Sequence, residues 1–403
     1  MKTEWVQVQL KDVVSILGDG LHGTPKYDAN GEYYFINGNN LSDGKIVFKS
    51  DTKRVDFAEY NKYKKDLNSR TILVSINGTL GNVALYNGEK CVLGKSACYF
   101  NVLENVDKQF IRYVVSAEKF RSYLHRFANG TTIKNVSLKA MREYPFLLPP
   151  VAEQRTISAV LSALDDKIEN NRVINHHLEQ MARAIFKSWV VDFEPFGGVM
   201  PDNWIVGSLT DIADYRNGLA MQKFRPAEGE VGLPVLKIKE LRQGSCDLTA
   251  EFCSPNIRAD FIVHDGDVIF SWSGSLMVDI WCGGDCGLNQ HLFKVTSQKY
   301  GKWFYYLWIC YHLAQFIALA ADKATTMGHI KRDALEKAEV IIPDDDSYCE
   351  MSMLLAPIYE QIICNRVENR KLVKLRDVLL PRFMNGELLV KGKKWQEAGG
   401  DNV

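Results

Sequence analysis

Residues 151–191 make an unbroken run without glycine or proline, set between two blocks rich in turns. Apolar side chains recur along it at Ile157, Val160, Leu164, Ile168, Ile174, Leu178, Met181, Ile185 and Trp189. A repeat of about 3.5 residues turns such positions into one seam of a long helix, and a seam needs a partner. With heptad position a at Ile157, the following a positions are Leu164, Asn171, Leu178 and Ile185, so the middle of the seam carries an amide.

A second run supplies the partner. From residue 347 to about residue 380 the seam is Met351, Leu354, Ile358, Ile362, Asn365, Leu372, Leu375 and Leu379, and Pro357 predicts a kink or a late start. An offset of 194 carries Asn171 and Arg172 onto Asn365 and Arg366, and Leu178 onto Leu372. An antiparallel pair would bring Asn171 near Asn365, where a mutual amide bond fixes register; the alternative places both on an exposed face. Helices of roughly 40 residues span about 60 Å at 1.5 Å per residue.

The flanking blocks repeat as well. Trp5, Leu10, Asp12 and Val13 match Trp204, Leu209, Asp211 and Ile212 at offset 199. Leu41 and Gly44 match Leu241 and Gly244 at 200, and Ser75 and Gly78 match Ser271 and Gly274 at 196. Phe100 and Val102 match Phe293 and Val295 at 193; Thr131, Thr132 and Pro149 match Thr325, Thr326 and Pro343 at 194. Such drift is what loop insertions produce. Each block alternates short β-rich runs with Gly- and Asn-bearing turns, and 110–127 reads as one helix. The fold class is therefore α+β: two similar mixed α/β domains separated by an antiparallel, coiled-coil-like pair of long helices, with an internal pseudo-twofold repeat.

Composition narrows the class. With 46% hydrophobic and 24% charged residues the chain has material for cores. Its most apolar stretch, 303–321, is interrupted by Tyr305, Tyr306, Tyr311, His312 and Gln315 and reads as a buried helix, with no membrane involved. The opening MKTEWVQVQL lacks a signal-peptide core and nine scattered cysteines fit a reducing compartment, so a cytoplasmic location is expected. A net charge of zero is unusual for a protein that holds DNA alone, but not for one whose partners bring positive charge.

The run LPPVAEQRTISAVLSALDDKIENNRVINHHLEQMARAIFKSWVVDFEPF, residues 148–196, resembles the central conserved region of specificity subunits of type I restriction-modification enzymes. Residues 379–388, LLPRFMNGEL, are similar to that family's distal conserved region, and GTP at 23–25, GT at 78–79 and GTTIKNVS at 130–137 match its recognition domains more loosely. The resemblance covers essentially the whole chain. It implies target-recognition domain 1 at 1–150, the central long helix at 151–195, target-recognition domain 2 at 196–345, and a distal helix with C-terminal tail at 346–403. It further implies a non-catalytic subunit that reads a two-part site in double-stranded DNA, one half per domain. Two methyltransferase subunits dock on it for adenine-N6 methylation and, in the full enzyme, two motor-nuclease subunits. S-adenosylmethionine, and ATP with Mg, are expected on those partners and no cofactor or metal on this chain. One departure is that Asp344, Asp345 and Asp346 stand where the first copy has Pro150, Val151 and Ala152. A protein-interaction scaffold with repeated peptide-binding domains is the competing class.

Other motifs are weak. Residues 18–23, GDGLHG, fit G-x-G-x-x-G, but Pro25 and a polar stretch follow where a nucleotide fingerprint must open a helix. No N/D-P-P-Y/F methyltransferase motif and no P-loop occurs. Cys246, Cys253, Cys282 and Cys286 with His264 and His291 offer only one tight spacing, so they read as structural thiols rather than a zinc site. Trp272 and Trp281 could stack on a base, though a Trp between strands is more often core.

Candidate base readers are the polar, turn-borne residues of each copy, since Arg or Lys suits guanine, Asn or Gln suits adenine, and hydroxyls favour phosphate. In the first copy these are His22, Thr24, Lys26, Asn37, Asn39, Asn40, Asn77, Thr79, Lys95, Thr131 and Lys134. In the second they are Arg216, Gln222, Lys223, Arg225, Lys237, Lys239, Arg242, Ser273, Ser275, Asn289, Gln290, His291, Thr325, His329 and Lys331.

Overall fold

A computed structural model describes residues 5–42, 44–130, 133–247, 249–322, 330 and 332–388. The chain forms two compact units: Met1–Asp166 together with Lys374–Val403, and Lys167–Val373.

In the first unit a four-stranded antiparallel sheet runs in the spatial order Val14–Asp19, Ala97–Val102, Thr71–Ser75 and Val83–Leu85. Its two central strands are buried at every position, because successive side chains enter two different cores. Ile72, Val74, Cys98 and Phe100 face one core; Leu73, Ala97 and Tyr99 face the other. Beside it, Arg54–Val55, Tyr33–Ile36 and Cys91–Leu93 form a second sheet in which the last two strands are parallel. Val6–Gln9 pairs with Pro145–Leu148 and closes the block just before the long helix.

The second unit repeats the main sheets of this topology, with one further strand, Ile262–Val263, antiparallel to Cys286–Leu288. Asp214–Asn217, Leu292–Thr296, Val268–Ser271 and Met277–Ile280 make the four-stranded sheet; Leu233–Leu236 and Cys286–Leu288 are the parallel pair; Ile205–Ser208 pairs with Glu339–Ile342. Its central strands again divide their side chains between two cores, Val268 and Phe270 on one and Ile269 and Leu292 on the other.

One expectation about the first block is corrected. Residues 110–127 are two helices, Lys108–Ser116 and Glu118–Phe127, broken at an extended Ala117 (ψ 148°). A continuous helix would have placed Glu118 and Lys119 below Val115, whereas the break returns Phe120 and Leu124 to the core. In the second copy Lys302–Asp322 is unbroken and buries Trp303, Phe304, Leu307, Trp308 and Phe316 in the unit's main core, so the apolar stretch is the buried helix expected of it.

The long helices are Val151–Phe186 and Asp345–Met384. The second starts before Pro357 and passes through it, so the expected late start is absent. Proline removes one backbone donor there, and the rest of the ladder carries the helix on. The apolar tail of the first helix is core material: Phe186 and Val190 are buried, with Phe186 edge-on to Trp308. The Pro- and Gly-bearing segment beyond it is packed too, as Phe196 meets Trp204 edge-on at 4.9 Å.

Candidate nucleic-acid interface

In the first unit five loops gather at one end of the four-stranded sheet, laced by backbone bonds. Leu21 N donates to Leu93 O (2.7 Å) and Lys95 N to Leu21 O (3.0 Å), which joins the loop after the first strand to the turn before the central one. Gly94 N donates to Ile36 O (2.8 Å), Ile76 N to Ser96 O (3.0 Å), Gly78 N to Lys134 O (3.0 Å) and Val136 N to Ile76 O (2.9 Å). These bonds bring together nearly every candidate of the first copy. His22, Thr24, Asn39, Thr79, Lys95 and Lys134 are exposed on this surface, and Lys26, also exposed, is tied through its N–H to Glu59 of the helix Phe57–Tyr63. His22 Nε2 lies 2.6 Å from Asp19 Oδ2, and Asn77 Nδ2 donates to Asn135 Oδ1 (3.3 Å). Asn37 and Asn40 have a different part: Asn37 N donates to Asn40 Oδ1, Ser96 Oγ to Asn37 Oδ1, and Asn40 Nδ2 to Val47 O and Thr52 Oγ1. With Asn40 only 4% exposed, these amides brace the turn that presents Asn39. Thr131 lies outside the described residues.

GDGLHG belongs to this lacing. A Cβ on Gly20 would stand 2.1 Å from Leu93 O, so glycine is required by backbone approach rather than by a nucleotide phosphate. The second unit has the equivalent at Gly218, whose Cβ would stand 2.3 Å from Asn289 O.

The same lacing recurs in the second unit. Leu219 N donates to Leu288 O (3.0 Å), Asn289 N to Leu236 O (3.2 Å) and Ile330 N to Trp272 O (3.1 Å). Gln222, Lys223, Arg225, Lys239, Arg242, Ser275 and His291 are exposed, and Lys237 and Gln290 are half-buried. Ser273 and Asn289 are buried: Ser273 Oγ meets His291 Nδ1 (3.1 Å) and Asn289 Oδ1 accepts from His291 N (3.3 Å), so both orient His291. Trp272 is half-buried beside His291 and donates to Asn217 Oδ1 (3.2 Å), whereas Trp281 is core, its Nε1 held by Gly284 O. Several basic candidates are tied to carboxylates: Arg216 to Asp260, Arg225 and Lys237 to Glu251, and Lys239 to Asp247. Hydrogen bonds from Thr249 and Lys239 hold Asp247 below the usual carboxylate range, and those from Lys237 do the same for Glu251. Thr325, His329 and Lys331 lie outside the described residues. Cys246 Sγ and Cys286 Sγ touch at 3.5 Å, while His264 bonds Asp285; among the described residues no three His, Cys, Asp or Glu side chains gather around a metal position.

The helix pair is antiparallel, but its register differs from the expected one. Asn171 and Asn365 do not bond each other. Asn171 Nδ2 donates to Asn369 Oδ1 (2.9 Å) and to Glu368 Oε2 (2.7 Å), and Asn365 Nδ2 donates to Asn175 Oδ1 (2.8 Å). Asn175 Nδ2 in turn reaches Ile362 O and Asn369 Nδ2 reaches Ile168 O, each at 3.2 Å. The four amides form a pseudo-twofold cluster in which the two Asn–Asn bonds, and the two Asn-to-carbonyl bonds, are counterparts 194 residues apart, while the Asn171–Glu368 bond has none because Ile174 stands at the equivalent place. The seam positions Ile174, Met181, Leu354 and Leu375 are exposed; the inward positions are Asn175, Ala182 and Leu355. The motif N-R-V-x-N at 171–175 and 365–369 is the sequence signal for the cluster.

Charged contacts flank it. In the second unit Arg366 bonds Glu179 (2.8 Å) and Asp279 (2.7 Å), and Arg370 bonds Asp265 (2.6 Å), fastening the distal helix to the sheet. In the first, Asp165 receives Arg112, Arg376 and Tyr113 at 2.9, 3.0 and 2.8 Å. Burial opposes its ionisation, yet the Arg376 bond and the Arg112 charge keep the carboxyl below its usual range. Each long helix also begins beside a repeated tryptophan: Trp5 Nε1 donates to Glu153 and Trp204 Nε1 to Asp344. Asp344 further accepts from Ser347 N and Oγ, so the acidic departure of the second copy is a helix cap.

A family model described as type I restriction modification DNA specificity domain matches residues 2–180 and again 201–371. The chain is 25% identical over 414 residues to the type I restriction enzyme MjaIX specificity subunit of Methanocaldococcus jannaschii, covering 96% of this chain and 94% of that one. It is 23% identical to the HindI specificity subunit of Haemophilus influenzae over 70% of this chain and 77% of the relative. Among solved structures, the type I restriction-modification S subunit from M. genitalium superposes with a TM-score of 0.61 over 95% of this chain and 96% of that one, at 16% identity, which supports the shared fold.

Proposed function

Because the chain belongs to the family of type I restriction-modification specificity subunits, whose domain model matches both of its halves, we propose that it reads a two-part site in double-stranded DNA, one half with each loop cluster. It performs no chemistry itself. The adenine-N6 methyl transfer, and cleavage where a motor-nuclease joins, belong to partner subunits docked on the helix pair. The helix pair sets the unread spacer between the half-sites. Half-sites about one helical turn apart, roughly 34 Å, lie on one face of the duplex, which suits two similar readers in one chain.

One observation carries this reading. Equivalent loops, tied by three equivalent backbone bonds, carry polar candidates on each unit, yet present different side chains: His22, Asn39 and Thr79 on one, Gln222, Ser275 and His291 on the other. Similar frames with different side chains read unequal half-sites. Co-expression with the partner methyltransferase, followed by mapping of methyladenine across the host genome, is the test. A two-part motif with two dissimilar halves is expected. A single continuous motif, or none, would contradict the reading.

A further inference from the structure

The two readers are unequal in charge. Residues 1–150 hold 21 Lys and Arg against 15 Asp and Glu, a net of +6; residues 204–343 hold 14 against 16, a net of −2. The zero balance of the whole chain conceals this difference.

It concentrates at one equivalent place. In each unit a connection leads into the short strand that pairs antiparallel with the first strand of the parallel pair, Arg54–Val55 in one and Phe252–Cys253 in the other. In the first unit the connection carries Lys49, Lys53 and Arg54 against Asp51 alone over residues 47–54; in the second, residues 244–253 carry Asp247 and Glu251 and no basic residue. The first connection is firmly held. Thr52 Oγ1 accepts from Lys49 N (2.8 Å) and from Asn40 Nδ2 (3.2 Å), Val47 N donates to Asn40 O (2.7 Å), and Phe35 N donates to Lys53 O (2.8 Å). Phe48 stacks on Tyr34 with ring centroids 4.1 Å apart, and the Arg54 guanidinium lies 4.8 Å from the same ring. Lys49, Lys53 and Arg54 are all exposed, and among the described residues none is joined to a carboxylate. In the second unit Asp247 and Glu251 instead take up Lys239, Lys237 and Arg225.

We infer that the first unit grips the DNA backbone beside its half-site through Lys49, Lys53 and Arg54, while the second unit is self-neutralised at the equivalent place and contributes little phosphate affinity. The occupant is the duplex sugar-phosphate chain. Asn40 supports this assignment, since the amide that braces the Asn39 turn also anchors the basic connection, which makes the grip continuous with the loop cluster. The inference rests on the proposed DNA-reading function and assigns its electrostatic part to one domain.

The test uses the complex with its methyltransferase, a duplex bearing the mapped site, and a scrambled duplex of equal length. Binding is measured against salt. Each phosphate contact contributes about 0.9 to the slope of log affinity on log salt. The combined Lys49→Gln, Lys53→Gln and Arg54→Gln variant is expected to flatten the slope by about 2 to 3. It should weaken both duplexes by the same factor and leave the methylated motif unchanged. Asp247→Asn with Glu251→Gln is expected to steepen the slope by about 1 to 2, because Lys237 and Lys239 are released. An unchanged slope in the triple variant overturns the inference while leaving the reading function standing, provided the wild-type complex still prefers its site. Loss confined to the mapped site also overturns it, since that marks base contacts. Wild-type binding with neither preference nor salt dependence overturns both.

Discussion

Replacing Asn175 by Leu tests the amide cluster that sets the helix register. Asn175 is 7% exposed; its Oδ1 is the acceptor for Asn365 Nδ2 at 2.8 Å. Leucine has nearly the same bulk but cannot accept, so a buried amide donor loses its partner. That penalty is about 1–3 kcal/mol, and a central value of about 2 kcal/mol lowers the melting temperature of a unit this size by about 4–8 °C. Asn369→Leu, the pseudo-symmetric change, should cost less, because Asn171 Nδ2 keeps Glu368 at 2.7 Å. Combining Asn175→Leu with Asn365→Leu removes donor and acceptor together and should cost less than either change alone. Thermal melts of the four proteins in one buffer complete the cycle. Additive losses, or a single substitution without effect, would refute the argument that the amides act as mutually satisfied partners.

Other predictions follow from particular contacts. Gly20→Ala and Gly218→Ala should each destabilise by at least about 2 kcal/mol, since the added Cβ meets a backbone carbonyl, while Gly23→Ala, with open space around it, should melt like wild type. Asp165 has a lowered folded-state pKa, so its contribution is present above the unfolded carboxylate value of about 3.9 and is lost as pH falls through the folded one. Asp165→Asn should therefore be less stable than wild type at neutral pH and converge with it in acid titrations below about pH 4. Arg366→Ala leaves Glu179 and Asp279 facing each other partly buried, and a loss of about 3 kcal/mol is expected in chemical denaturation. Adding one heptad to both long helices adds about 10.5 Å of helix and should lengthen the unread spacer by about three base pairs, leaving both half-sites as they were; altered half-sites in methylation maps would count against the support role.

The repeat, the two long helices and the loop-borne candidates were legible because they depend on local pattern: seam periodicity, turn residues, and matched Trp, Gly and Ser positions. The register was not. Ile174 and Met181 are more apolar than their neighbours Asn175 and Ala182, yet it is the latter that are buried, since a polar side chain points inward when its bonds are met there. Ala117 has no breaker residue to announce that it divides a helix. Asn37, Asn40, Ser273 and Asn289 were recognisable as turn polars, but only tertiary contacts separate those that brace a loop from those that face outward. The basic connection at residues 47–54 has no counterpart in the second half, so the repeat gives no signal for it.

On the proposed function each loop cluster reads its own half of one site. Methyladenine mapping of the wild-type complex beside a variant carrying Gln222→Ala and His291→Ala tests it most directly. A two-part motif is expected in which the first half and the spacer are unchanged and only the second half is relaxed or altered. Simultaneous change in both halves, or a wild-type motif without two parts, would contradict it.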